Sequence, residues 1–178
     1  MITKKKDRYF DIPKNYQDFR LVQKSNAKPE DYGYTEEGIM DVLDMLKNDP
    51  NNYEFEDDGL QNDLGCIFSD GVCVEKKIEF AKYWFAKSAD QGNDLARSNL
   101  ADIYRKGTGG SEVDLEKAFE LYKACGLPYA HYRCGEFYEK GWGVKKNLIE
   151  AKRYYSLAYK EGHQLAKKKL KEWNFLAD

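Results

Sequence analysis

The sequence predicts an all-α fold of short helical hairpins stacked in a row. Three observations carry this: apolar residues recur at helical spacing, a unit of about thirty-five residues occurs three times, and a glycine closes the first helix of each copy. Composition agrees. The 178 residues are 42% hydrophobic and 15% aromatic, enough for a core, while 34% charged residues and a mean hydropathy of −0.82 suit a water-exposed helical surface. A net charge of −2 excludes a general nucleic-acid binder, which must neutralise many phosphates.

The chain opens with a basic stretch, Met1–Phe10, that lacks the apolar segment a secretory signal carries. The longest strongly apolar run, Tyr83–Ala86, falls far short of the ~20 residues of a membrane helix. A cytoplasmic chain with no membrane partner is expected, its four cysteines (Cys66, Cys73, Cys125, Cys134) reduced. Residues 1–28 hold Tyr9, Phe10, Ile12, Tyr16, Phe19, Leu21 and Val22 without a period, so an irregular or mobile arm is expected there. Glu36–Asn48 then carries Ile39, Val42, Leu43 and Leu46 at helical spacing, which predicts a helix covering the first repeat.

The repeats follow. Gly65-Cys-Ile-Phe68-Ser-Asp-Gly71, Ala101-Asp-Ile-Tyr104-Arg-Lys-Gly107 and Gly135-Glu-Phe-Tyr138-Glu-Lys-Gly141 share one order of small, polar, apolar, aromatic and glycine, with the last glycines 36 and then 34 residues apart. Each is followed by a second match, at Ala81–Phe85, Ala118–Tyr122 and Ala151–Tyr155. The unit is thus a first helix, A, ended by a left-handed glycine, and a second helix, B. Asp114 and Asn147 are placed to cap their B helices, and Asn147 with Glu150 forms a variant capping box. Gly65 and Gly135 sit inside A helices, where glycine costs roughly 0.5–1 kcal/mol relative to alanine. Close approach of helix B, with Ala81, Ala118 and Ala151 facing and Trp84/Phe85, Leu121/Tyr122 and Tyr154/Tyr155 beside them, offsets that cost. A last segment, Gln164–Phe175, places Leu165, Ala166, Leu170 and Trp173 on one side and predicts a closing A-type helix.

In order and spacing these units resemble the Sel-1-like repeats, solenoid relatives of the tetratricopeptide repeats. Gly135–His163 is similar to the family pattern almost position for position. Repeat one departs at Cys73, where repeat three has Gly143, and repeat two carries an extra residue in Gly107–Ser111 and is short between Ala118 and Ala130. The resemblance implies a right-handed superhelical α/α solenoid. Its expected parts are an N-terminal extension and capping helix (1–58), three repeats (59–93, 94–127, 128–163) and a C-terminal capping helix (164–178). In this family the A helices line the inner side, which makes Asn62, Cys66, Ser98, Asp102, Tyr132 and Glu136 the candidate partner contacts. Cys125 and Cys134 are similar to the paired cysteines of a disulfide-linked branch, yet Cys134 takes the core position of Leu64 and Leu100, so no bridge is expected.

Charge adds a second set. Residues 29–70 hold thirteen Asp/Glu against one Lys, a net of −12, whereas 1–28 and 71–178 are each +5. Glu54, Glu56, Asp57 and Asp58 form an acidic rim beside the first repeat, and complementary potential favours a basic protein partner. A solvated surface that serves solubility is the plainer reading of the same block.

Catalytic patterns are missing: no G-x-S-x-G, G-x-G-x-x-G, H-E-x-x-H or P-loop string occurs, and His131 and His163 fall at repeat positions. No C-x-x-C pair or calcium-loop alternation marks a metal site, and no cofactor is expected. The expectation is a non-enzymatic interaction module. By analogy and charge it fits a bacterial immunity protein bound to a basic toxin domain. The alternatives are a scaffold or adaptor in signalling or envelope assembly, and a hydrolase of the cysteine-rich branch, whose bridge framework is not expected here.

Overall fold

A computed structural model describes residues 18–22, 27–49 and 52–174, apart from the side chains of Tyr53 and Glu54. Among the described residues the fold is all-α, with eight α-helices: α1 (Glu36–Asn48), α2 (Asp58–Asp70), α3 (Ile78–Asp90), α4 (Asp94–Lys106), α5 (Leu115–Lys123), α6 (Pro128–Lys140), α7 (Leu148–Lys160) and α8 (Gln164–Glu172). The β-structure described is an isolated antiparallel bridge, Leu21 to Val74. The chain divides into two compact units, Met1–Ala96 and Arg97–Asp178.

The first unit is built on the α2–α3 hairpin. Asp57 caps α2 by accepting from the Leu60 N–H at 2.7 Å, and Gly71, at φ 75°, ends it in the left-handed conformation. The Lys77 N–H then donates back to the Phe68 carbonyl at 3.0 Å and closes the loop. Leu64, Ile67 and Phe68 of α2 and Phe80, Ala81, Trp84 and Phe85 of α3 are buried. A Cβ on Gly65 would lie 2.4 Å from the Phe85 ring, so here the glycine is required by contact with helix B. The aromatic ring itself, and not only the facing alanine, makes the close approach.

On this hairpin, α1 begins at Thr35, whose hydroxyl accepts from the Gly38 N–H at 3.0 Å. It buries Ile39, Leu43 and Leu46, three of the four residues expected inward, with Val42 only half-buried. Part of the arm expected to be irregular is packed here: Phe19 is buried edge-on against Phe68 at 5.1 Å. Backbone bonds from Val22 to Cys73 (3.0 Å) and from Glu75 to Arg20 (2.9 Å) hold it. Tyr9, Phe10, Ile12 and Tyr16 lie outside the described residues, as does Phe175.

The second unit repeats the plan with α6–α7. Gly141 (φ 74°) ends α6, and the Asn147 N–H donates to the Tyr138 carbonyl at 2.9 Å, the same closure made by Asp114 to Tyr104 at 2.9 Å. Asp114 caps α5 through the Lys117 N–H at 2.9 Å, and Asn147 caps α7 through Ile149 (3.0 Å) and Glu150 (3.2 Å). The capping box is one-sided, which corrects the sequence reading. The Asn147 N–H is taken by Tyr138, and the Glu150 carboxylate turns to Arg153 at 2.9 Å.

The irregularities of the repeats have local causes. Helix α5 has 9 residues where α3 and α7 have 13, which absorbs the short spacing before Pro128. Gly143 (φ 57°) runs so close to the start of α5 that a Cβ would sit 2.4 Å from the Leu115 carbonyl carbon and oxygen. Cys73 takes the same left-handed conformation, φ 56°, and carries its side chain into the core at 4% exposure. The four cysteines are unbridged. In α8, Ala166 and Leu170 are buried and Trp173, just past the helix, meets Tyr155 edge-on at 5.6 Å. Leu165 departs from expectation at 56% exposure, because the helix turn that points Ala166 and Leu170 inward turns its neighbour out.

Candidate functional site

Helix-A residues of the first unit are fixed by two tyrosines. The Tyr34 hydroxyl donates to Asp63 at 2.5 Å and the Tyr32 hydroxyl to Asp70 at 2.5 Å, from a 3-10 turn and its exit at 29–34. Cys66 lies between those carboxylates on the same helical face. Burial, and then the charges of Asp63 and Asp70, push its thiol up to about 12, so it is not a nucleophile near neutral pH. Asn62 is buried, so its side chain serves packing and presents little surface, contrary to the exposure expected of a contact residue.

The acidic rim is held from below by the first repeat. Gln61 donates to the Phe55 carbonyl at 2.6 Å, Gln91 to the Glu56 carbonyl at 2.9 Å, and Ser88 to the Asp58 carbonyl at 2.6 Å. Asn93 donates to the Asp58 carboxylate at 2.8 Å, and Asp57 is the cap of α2. Glu56 and Asp57 are exposed and Asp58 is half-buried, while Glu54 lies outside the described side chains. Glu37, Asp41 and Asp44, members of the same acidic segment, stand exposed on α1. Their i, i+4, i+7 spacing, opposite the Ile39–Leu43–Leu46 stripe, was the signal available.

In the second unit three of the expected residues belong to one polar row. Asp102 on α4 accepts from Lys106 (2.8 Å), Arg105 (3.0 Å), Tyr122 and Tyr129 (3.0 Å). The Tyr129 hydroxyl accepts in turn from Arg133 Nε at 2.9 Å, and Arg133 donates to Glu136 at 2.5 Å. Tyr132 donates to Glu136 at 3.2 Å and stacks on His163 at 4.6 Å between ring centroids. Asp102, Arg133 and Glu136 keep about a quarter of their side-chain surface, at 24%, 23% and 21%. Ser98, one turn before Asp102 on α4, is buried, against the exposure expected of a contact residue. Tyr129, Arg105 and Arg133 were not singled out from the sequence.

Electrostatics in this row favour fixed charge over proton transfer. Burial alone would raise the Asp102 carboxyl, but hydrogen bonds from Lys106, Tyr122 and Arg105 overcome it and hold the group at about 2. Burial, with Glu136 beside it, pushes the Tyr132 phenol up to about 12. His163 is held below its ordinary value by burial and by Arg133, and its Nδ1 is buried without a hydrogen-bond partner. Among the described residues no group of three or more His, Cys, Asp or Glu is placed to hold a metal ion, and no helix is long and apolar enough to cross a membrane.

The Sel1 repeat model matches residues 60–93, 95–124 and 128–163, more than half of the chain. The chain belongs to the Sel1 repeat family. A Sel1 repeat protein of Oxalobacter formigenes has a similar solved structure, with a TM-score of 0.64 and 31% identity over 75% of this chain and 98% of that one. The protective antigen c5321 of uropathogenic Escherichia coli shares the fold, with a TM-score of 0.63 and 23% identity over 66% of this chain and 26% of that one. Among curated relatives, a sel1-like repeat-containing protein of Acanthamoeba polyphaga mimivirus, L21, is 29% identical over 113 residues, 62% of this chain and 20% of L21. HRD3A of Arabidopsis thaliana, an ERAD-associated E3 ubiquitin-protein ligase component, is 33% identical over 94 residues, 51% of this chain and 14% of HRD3A. The chain thus spans a fifth or less of these curated relatives. Sel1 repeats generally mediate protein–protein interaction, and proteins built from them are typically non-enzymatic.

Proposed function

We propose that this Sel1 repeat chain is a non-enzymatic binding module whose first unit receives a basic protein surface. The observation that carries the reading is the exposed acidic set of Glu37, Asp41, Asp44, Glu56 and Asp57 in a segment of net charge −12. Rim charges of this kind raise association rates and reject acidic competitors. In the second unit Asp102, Tyr132 and Glu136 contribute a contact face already ordered by internal bonds, with Arg133 and Tyr129 added to the set. Cys66 joins the first unit's face as a half-buried neutral thiol with Asn62 supporting it from within, and Ser98 is buried in the second unit.

An inhibitor of a basic toxin, as an immunity protein would be, is the narrow form of this reading and rests on charge. The broader form is an adaptor in a multi-protein assembly, which the similarity to an E3 ligase component favours. Reversing Glu37, Asp41, Asp44 and Glu56 to lysine, followed by capture of partners from the native host, tests both. Loss of a basic partner at an unchanged melting temperature is expected. An unaltered set of captured proteins would remove the electrostatic argument.

A further inference from the structure

The second unit carries an apolar cleft that the repeat itself does not call for. Leu148, Ile149, Lys152 and Trp173 line a depression of ≈ 540 Å³ between the start of α7 and the end of α8. Ile149 is 80% exposed and Leu148 is 53% exposed. Counted along the B helices from their caps, Ile149 stands where the other two repeats hold Glu79 and Glu116. An acid there is the favourable choice, since it meets the positive end of the helix and solvent. Leu148 corresponds to Ile78, which is buried at 7% exposure. In repeat three, therefore, an exposed aliphatic pair replaces a buried residue and a solvated acid.

The segment that carries the cleft is basic on balance, and Lys152 lines the cleft itself. Residues 141–174 hold nine Lys/Arg against three Asp/Glu, a net of +6. All three acids are paired, Glu150 with Arg153 at 2.9 Å, Glu161 with His131 at 2.7 Å and Glu172 with Lys169 at 4.0 Å, which leaves the other lysines of the segment in excess. Lys145 and Lys146 are exposed just before the cap of α7, and Lys167 and Lys168 are exposed on α8. An apolar floor edged by Lys152 in a segment of net positive charge is complementary to an amphipathic helix whose apolar stripe is flanked by Asp and Glu.

We infer that the Leu148–Ile149–Trp173 cleft docks an acidic amphipathic helix of a protein partner. This second surface is opposite in charge preference to the acidic set of the first unit and does not depend on it. The partner's aliphatic side chains take the place beside Trp173 and Ile149, and its carboxylates meet the surrounding lysines.

The test uses the full chain and two labelled peptides of one design, with leucines at i, i+4 and i+7 and either glutamates or lysines elsewhere, followed by fluorescence anisotropy. The glutamate peptide is expected to bind, to weaken as salt rises from about 50 to about 300 mM, and to lose about tenfold or more in affinity to I149E. I149E restores the residue type of the other repeats, so the variant is expected to fold, and an unchanged melting curve verifies it. The lysine peptide is expected not to bind. Equal binding of both peptides, or an I149E protein that binds as tightly as the parent, overturns the inference. Two further results also overturn it by naming another occupant: self-association in sedimentation that I149E abolishes, or I149E-sensitive binding to anionic phosphatidylserine vesicles without peptide binding.

Discussion

Replacing Gly135 by alanine isolates the contact that sets the α6–α7 hairpin. By helix propensity alone the change would stabilise α6 by about 1 kcal/mol. The geometry reverses the sign. An added Cβ would lie 2.6 Å from Cδ1 and Cε1 of Tyr155 and 3.0 Å from its Cγ. Carbon contacts settle near ~3.5–4.0 Å, so the ring must retreat by roughly 1 Å. Tyr155 is wholly buried, its hydroxyl donates to Glu139 at 2.5 Å, and its ring meets Tyr132 at 5.5 Å and Trp173 at 5.6 Å. Overpacking of this kind costs about 1–3 kcal/mol, and losing a bond to a charged acceptor about 1.5–3 kcal/mol. After the propensity gain is subtracted, a net destabilisation of about 3 kcal/mol is expected. Urea denaturation followed by far-ultraviolet circular dichroism would report it as a lower midpoint. In a Tyr155→Leu background the same substitution should lose most of its penalty. A Gly135→Ala protein as stable as its parent would refute the reasoning.

Gly143→Ala combines a strained backbone with a Cβ 2.4 Å from the Leu115 carbonyl, and should destabilise by about 2 kcal/mol or more in thermal melts. Cys73→Gly relieves the same left-handed conformation, φ 56°, but empties a buried position, so its effect should be smaller. The Asp102 carboxyl is lower when folded than when unfolded, so its stabilisation is fully present above about pH 4 and is lost as pH falls towards about 2. Asp102→Asn should flatten that part of the acid-denaturation curve. His163 is held below its ordinary value by burial and by Arg133, so the unfolded chain gains a proton more readily than the folded chain once pH falls below about 6.5. Stability should therefore fall as pH drops through about 6.5, and His163→Asn should remove that fall. An unchanged pH profile in that variant would exclude His163 as its source.

Helix ends were the most legible features because they are written in local chemistry. The bounds Glu36–Asn48, the left-handed glycines 71, 107 and 141, and the caps at Asp114 and Asn147 each depend on a few neighbouring residues. Gly65 and Gly135 announced a close contact through their cost in a helix, and the rings of Phe85 and Tyr155 supply it. What the sequence hides is which polar side chains of an A helix stay exposed. Asn62 and Ser98 look like surface residues by type, and burial by the rest of the fold decides otherwise. The Asp102–Tyr129 bond joins residues 27 apart on different helices, so spacing alone does not find it, although Tyr129 and Arg133 are an ordinary i, i+4 pair. The oddity of Ile149 was legible once Glu79 and Glu116 were counted from their helix caps, but its exposure was not.

The line of bonds from Lys106 through Asp102, Tyr129 and Arg133 to Glu136 means that no member can be retuned alone. Each residue shares its protons or lone pairs with the next, so the effects of substitutions along it will be strongly non-additive. Evolution of a new specificity on this face then requires coordinated replacement of two or more residues. Isolated changes on the exposed stripe of α1 face no such restriction, and affinity is expected to drift there first.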